Sequence, residues 1–121
     1  MIDTHCHFDF EPFSVGTDVW AQRTLSAGVK HIIVPAVSKE NWSRVESLAS
    51  TYAFVSFAVG LHPVWLGDHN EDDLATLDAY LATKPVHCVA VGECGLDFAI
   101  QDAQPEKQIA LLKAQLSLAV K

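Results

Sequence analysis

His31-Ile32-Ile33-Val34-Pro35-Ala36-Val37 is a short run, β-branched at its centre and nearly all apolar. A strand covered on one face alternates apolar and polar residues. An unbroken apolar run suits a strand buried on both faces, as in parallel sheets. Val89-Ala90-Val91 reads the same way. Working outward, the candidate strands are Met1–His7, His31–Val37, Phe54–Leu61 and Val86–Glu93. Between them the pattern predicts helices at roughly Thr17–Ala27, Lys39–Thr51 and Glu71–Thr83, and a last one from Pro105 to the end. Gly28 stands where the first helix should stop. Ser38 is the expected N-cap of the second helix, and Asn70 of the third, with Asp73 three residues on. Pro105 suits a first helical turn. In that last helix Ile109, Leu112, Leu116 and Ala119 recur at spacings of three and four, predicting an inward face. Four successive βα units imply parallel strands with right-handed crossovers. The expected fold class is α/β, and periodicity alone leaves open sheet and barrel equally open.

The composition sets bounds. The chain has 121 residues, half of them hydrophobic, as expected for one soluble domain with a real core. A Met-Ile-Asp start without a basic region or a long apolar run predicts neither signal peptide nor membrane span. Cys6, Cys88 and Cys94 form no C-x-x-C pair, which predicts free thiols in a reducing, cytoplasmic setting. The formal net charge is −7. Such a surface repels phosphate backbones, so stable nucleic-acid binding by counterion release is not expected. Metal ions in a cleft would still allow a local phosphate contact, so a nuclease is not excluded.

The polar residues that interrupt this pattern fall in one place. In an extended Met1–His7, Asp3, His5 and His7 share a face. Two imidazoles on one face can converge on a divalent metal. His62 follows the third strand in Gly60-Leu61-His62-Pro63, and Glu93 ends the fourth in Gly92-Glu93-Cys94-Gly95-Leu96-Asp97. All lie at carboxyl ends of strands, which share one rim in a parallel architecture. Val89, Val91 and Glu93 share a face, so the carboxylate leaves an apolar row and calls for a cation opposite. Each has a plainer alternative: surface histidines near a terminus, a Lys or Arg partner for Glu93, a turn closed by His62 before Pro63. Gly92 and Gly95 allow tight backbone around Glu93. His31, His69 and His87 are not expected as ligands. Trp20, Trp42 and Trp65 read as packing or surface aromatics, and Asp18, Asp68, Glu71, Asp72 and Asp73 as solvated helix-start charges.

Three segments, Ile2-Asp3-Thr4-His5-Cys6-His7-Phe8-Asp9, Val59-Gly60-Leu61-His62-Pro63 and Val91-Gly92-Glu93-Cys94-Gly95-Leu96-Asp97-Phe98, occur in order and at suitable spacing. Together they resemble the TatD family of metal-dependent hydrolases, also described as TatD-type deoxyribonucleases. Phe8-Asp9-Phe10 and Ile33-Val34-Pro35-Ala36 point to its YjjV-like branch, and Gln115-Leu116-Ser117-Leu118-Ala119 is similar to the family's fourth helix. Cys94 stands where the family more often has an aliphatic residue.

The resemblance implies a TIM-type (β/α)8 barrel of about 250 residues, of which residues 1–121 are the amino-terminal half. It implies that His5 and His7 hold one divalent metal, that Glu93 bridges two, and that His62 lies near the substrate phosphate. The ions would be zinc, manganese or magnesium, and the substrate DNA or another phosphodiester. The family draws two further histidines and an aspartate from later strands, so the general base is expected outside these residues. Sheet edges left unpaired would favour self-association. An amidohydrolase-like enzyme acting on a small-molecule ester and a catalytically inactive fragment are the other two expectations.

Overall fold

The computed structural model describes residues 1–69 and 71–121. Four parallel strands, β1 (Ile2–Asp3), β2 (His31–Pro35), β3 (Val55–Val59) and β4 (Cys88–Val91), pair in the order β1-β2-β3-β4. Helices α1 (Thr17–Ser26), α2 (Trp42–Thr51), α3 (Glu71–Ala82) and α4 (Pro105–Ala119) alternate with them. A doubly wound sheet reverses its strand order at a switch point. This order never reverses, so crossovers of the usual hand carry every helix to one face, as in a barrel wall.

The core lies where that helical layer meets the sheet. Ile32 and Val34 of β2 and Val55, Phe57 and Val59 of β3 are buried with Trp42 and Val45 of α2, Leu77 of α3, Phe8 and Leu61. Each fully buried Val, Ile, Leu or Phe is worth about 1.5–3 kcal/mol. The opposite side of β3 carries the small residues Ser56 and Ala58, both buried.

The punctuation of the helices follows the sequence closely. Gly28 takes a positive φ of 85° just after α1, where a side chain would be strained. Pro105 opens α4. Ser38 precedes a 3-10 turn, Lys39–Asn41, that leads into α2, and Asn41 Oδ1 accepts from the Ser38 and Val37 amides at 3.1 and 3.0 Å. The expected Asn70 cap lies outside the described residues.

Five expectations are corrected. β1 pairs only over Ile2–Asp3, because the Asp3 carboxylate accepts the His5 amide at 3.1 Å and turns the chain out of the ladder. The ladder resumes with the Cys6 amide on Ile33 O. Asp3 therefore does not join the two histidines. β4 is an edge strand, and Val89 is 54% exposed rather than buried on both sides. Asp73 is not a solvated charge: it is buried and ion-paired with Lys39 at 3.0 Å, tying α3 to the start of α2. Asp18, by contrast, is exposed in the first turn of α1 as expected, and there accepts the Tyr52 hydroxyl at 2.6 Å.

The fifth correction concerns α4. Its inward face is Gln108, Leu111, Gln115 and Leu118, whereas Ile109 and Leu116 are exposed. The spacing is helical, but two of the four residues are polar. Gln115 is buried, donates to Leu61 O at 3.0 Å and accepts from Leu61 N at 2.8 Å, standing in for a neighbouring strand. Gln108 similarly bonds Asp97 N, Asp97 O and Ala103 O. Paired in this way, an amide is buried at little cost.

Candidate metal centre

Three rim segments meet at the carboxyl ends of the strands. After β1, the turn at Asp3 sends His5 and His7 to one point, their Nε2 atoms 3.3 Å apart. After β4, Glu93 Oε2 comes within 3.4 Å of His5 Nε2 and 3.3 Å of His7 Nε2. Three ligand atoms held about 2.0–2.1 Å from one ion at tetrahedral angles lie about 3.3–3.4 Å apart. The observed separations match, so these residues fit a single divalent cation of the zinc type. Among the described residues, His5, His7 and Glu93 form the one cluster of this kind. Among the described residues no Lys or Arg supplies the counter-charge to Glu93; its partners are histidines.

The third histidine has a different place. His62 Nδ1 accepts the Val64 amide at 3.1 Å, so the ring proton resides on Nε2. That Nε2 is 3.1 Å from Glu93 Oε1. His62 thus holds one oxygen of Glu93 while the other faces His5 and His7. Its own backbone is braced by His69, whose Nε2 lies 2.9 Å from His62 O, and by its amide on Val37 O. His69 is a support that its position in a loop did not reveal.

Backbone contacts aim Glu93. Its amide donates to Ala36 O at 2.7 Å, and the Gly92 amide to Val59 O at 2.8 Å, so the ends of β2 and β3 both grip this turn. The tight residue is Gly60 rather than Gly92 or Gly95. A Cβ on Gly60 would stand 2.6 Å from Gly92 C and 2.9 Å from Glu93 O, whereas one on Gly95 would meet nothing within 4 Å. The buried Trp42 indole fixes the same spot by donating to Gly60 O at 3.1 Å.

Next along the chain from His7 lies a buried charged group whose pairing the sequence reading missed. Asp9, two residues on, is buried and accepts from Asn41 Nδ2 at 2.9 Å and from Arg44 Nε and Nη2 at 3.0 and 2.9 Å. His7 Nδ1 and Asp9 Oδ1 are both buried and have no hydrogen-bond partner among the described residues. Cys6, between the two histidines, is not part of the cluster. Burial, then Asp3 and Asp9, push its thiol above the usual range, and all three cysteines are free thiols.

A sequence profile of the family described as "TatD related DNase" matches residues 2–121. The chain belongs to the TatD-related DNase family. The "Uncharacterized metal-dependent hydrolase YjjV" of Escherichia coli is 49% identical over 119 residues, which are 98% of this chain and 46% of that protein. The crystal structure of YjjV, a TatD homologue, superposes with a TM-score of 0.95 over 98% of this chain and 46% of its own. The "3'-5' ssDNA/RNA exonuclease TatD" of Erwinia amylovora is 32% identical over 120 residues, 98% of this chain and 46% of that protein. This TatD-family chain therefore spans about half the length of the curated relatives it matches. Its fold is α/β, four successive βα units resembling the first half of a TIM-type barrel. Among the described residues no helix is long and apolar enough to cross a membrane.

Proposed function

We propose that residues 1–121 carry the amino-terminal metal-binding portion of a TatD-type hydrolase that cleaves phosphodiester bonds. The observation that carries this reading is the convergence of His5, His7 and Glu93 at separations of 3.3–3.4 Å. The name of the Erwinia relative supports single-stranded DNA or RNA as substrate. When bound, a divalent cation supplies Lewis-acid polarisation of a phosphoryl oxygen and makes water more acidic. The protein's part is to present two neutral imidazoles and one carboxylate. His62, by donating its Nε2–H to Glu93 Oε1, aims Oε2 at the histidines. Zinc, manganese and magnesium are the candidate ions. A second ion would draw on groups from outside residues 1–121, as would the general base.

Calorimetric titration with zinc and with manganese tests the site, wild type against His5→Ala, His7→Ala and Glu93→Gln. We expect saturable binding to the wild type and none to the variants. Chelator-sensitive shortening of end-labelled single-stranded DNA by the longer protein carrying this segment tests the reaction. Metal binding combined with hydrolysis of small esters but not of DNA would transfer the assignment to an amidohydrolase-like activity. Absence of metal binding would overturn the reading.

A further inference from the structure

The geometry points to a second binding element beside the metal cluster: a nucleobase subsite formed by Phe10 and Trp65. It rests on the phosphodiesterase reading and names what lies next to the scissile phosphate. A shallow groove of about 300 Å³ is lined by His7, Phe10, Val37 and Trp65. His7 belongs to both the groove and the metal cluster, so the two are continuous. Phe8 is buried and stacks on Phe13 with ring centres 5.4 Å apart, yet Phe10 and Trp65 remain 37% and 43% exposed.

The same turns that aim the histidines aim these rings. The Phe10 amide donates to His7 O at 3.1 Å, closing the turn after the H-x-H pair. The Trp65 amide donates to His62 O at 3.1 Å, ending the 3-10 turn that begins beside His62. Phe10 is further held in place. Its ring meets His7 edge to face at 5.8 Å, and the Arg44 guanidinium lies 4.8 Å from its centre, anchored on buried Asp9. A platform fixed before the ligand arrives loses little entropy on binding.

The chemistry of the walls selects the ligand. Phe10, Trp65 and Val37 line the groove with two aromatic rings and a hydrocarbon side chain, which suit a flat aromatic ring. Bases stack on such surfaces with little regard to sequence, since every base has a π-face. The charge balance points the same way. At a net charge of −7 the chain draws little affinity from phosphates, and stacking supplies binding that counterion release does not. The occupant is therefore the base of the nucleotide whose phosphate lies at His5, His7 and Glu93.

The probe is ethenoadenosine monophosphate, whose fluorescence is quenched on stacking, titrated with and without chelator. We expect saturable quenching, displacement by adenosine monophosphate, and far weaker displacement by ribose phosphate, which offers the phosphate without a base. Trp65→Leu and Phe10→Leu should each weaken binding roughly ten- to hundredfold. Trp65 is not part of the buried core cluster, so its substitution opens no core cavity, and near-UV circular dichroism verifies the fold. Zinc affinity of Trp65→Leu should equal that of the wild type. Displacement by ribose phosphate as strong as by adenosine monophosphate, or unchanged nucleotide binding by Trp65→Leu, would overturn the subsite. Loss of metal binding with base binding intact would instead strike the hydrolase reading alone.

Discussion

His62 Nε2 lies 3.1 Å from Glu93 Oε1, and the other oxygen of that carboxylate faces His5 and His7. In the proposed metal site one side chain thus orients another, an arrangement that raises metal affinity without contacting the ion. His62→Ala is expected to lower zinc and manganese affinity about 10–100-fold, with His62→Gln, which keeps a donor, falling between. Isothermal calorimetry reads both. Affinity unaffected by His62→Ala would place its role with the substrate alone.

Gly60 controls the same carboxylate from the backbone. Gly60→Ala puts a methyl 2.6–2.9 Å from Gly92 and Glu93, and backbone cannot yield as a flexible side chain can. The expected loss is about 1–3 kcal/mol of stability, together with weaker metal binding. Gly95→Ala, facing open space, is the control and should change neither. Urea unfolding followed by tryptophan emission measures the difference.

Gln115 determines how α4 docks. Replacing it with Leu leaves the Leu61 N–H and C=O without their partner, at an expected cost of about 2–4 kcal/mol. Amide exchange at Leu61 should accelerate. Leu116→Gln, on the exposed side of the helix, should stay within about 0.5 kcal/mol of wild type. The reverse ranking would restore the apolar face that periodicity predicts.

Arg44 is ion-paired with the buried Asp9. Breaking a buried pair costs about 3–5 kcal/mol. Arg44 is half exposed and Asn41 keeps its bond to Asp9, so Arg44→Met is expected to cost about 1–2 kcal/mol. Thermal unfolding checks this. A neutral result would show that solvent already screens the pair.

Both tyrosines should titrate late. The hydrogen bond to Asp18 raises the Tyr52 hydroxyl above its usual range, and burial, with Glu46 nearby, raises Tyr80. A raised pKa means that the folded state favours the protonated phenol. The stabilisation is therefore complete below the ordinary tyrosine value of about 10 and is lost as pH climbs through the folded values. Ultraviolet difference titration should show tyrosinate forming at higher pH in the native chain than in urea. Coincident curves would contradict it.

Much of this molecule is legible along the chain. The βα order, Gly28 after α1, Pro105 opening α4 and the chemistry of His5, His7 and Glu93 all follow from local properties: hydrophobic period, backbone freedom and residue type. The errors arose where a polar side chain replaced a contact that hydrophobicity would have marked. Gln108 and Gln115 hide the inward face of α4, Asp73 is buried because Lys39 reaches it, and Asp3 shortens β1 by capturing the His5 amide.

By itself, the sequence determined which residues can carry the chemistry and that the strands bearing them run parallel, because donor type and periodicity belong to each segment alone. Only the tertiary structure decided how those segments meet. Gln115 and Leu61 stand 54 residues apart, and the pairing of His62 with Glu93, the closeness of Gly60 to Gly92 and the nearness of Trp65 to Phe10 join segments just as independent. Such contacts depend on strand register and turn geometry, which emerge only when all four units pack together.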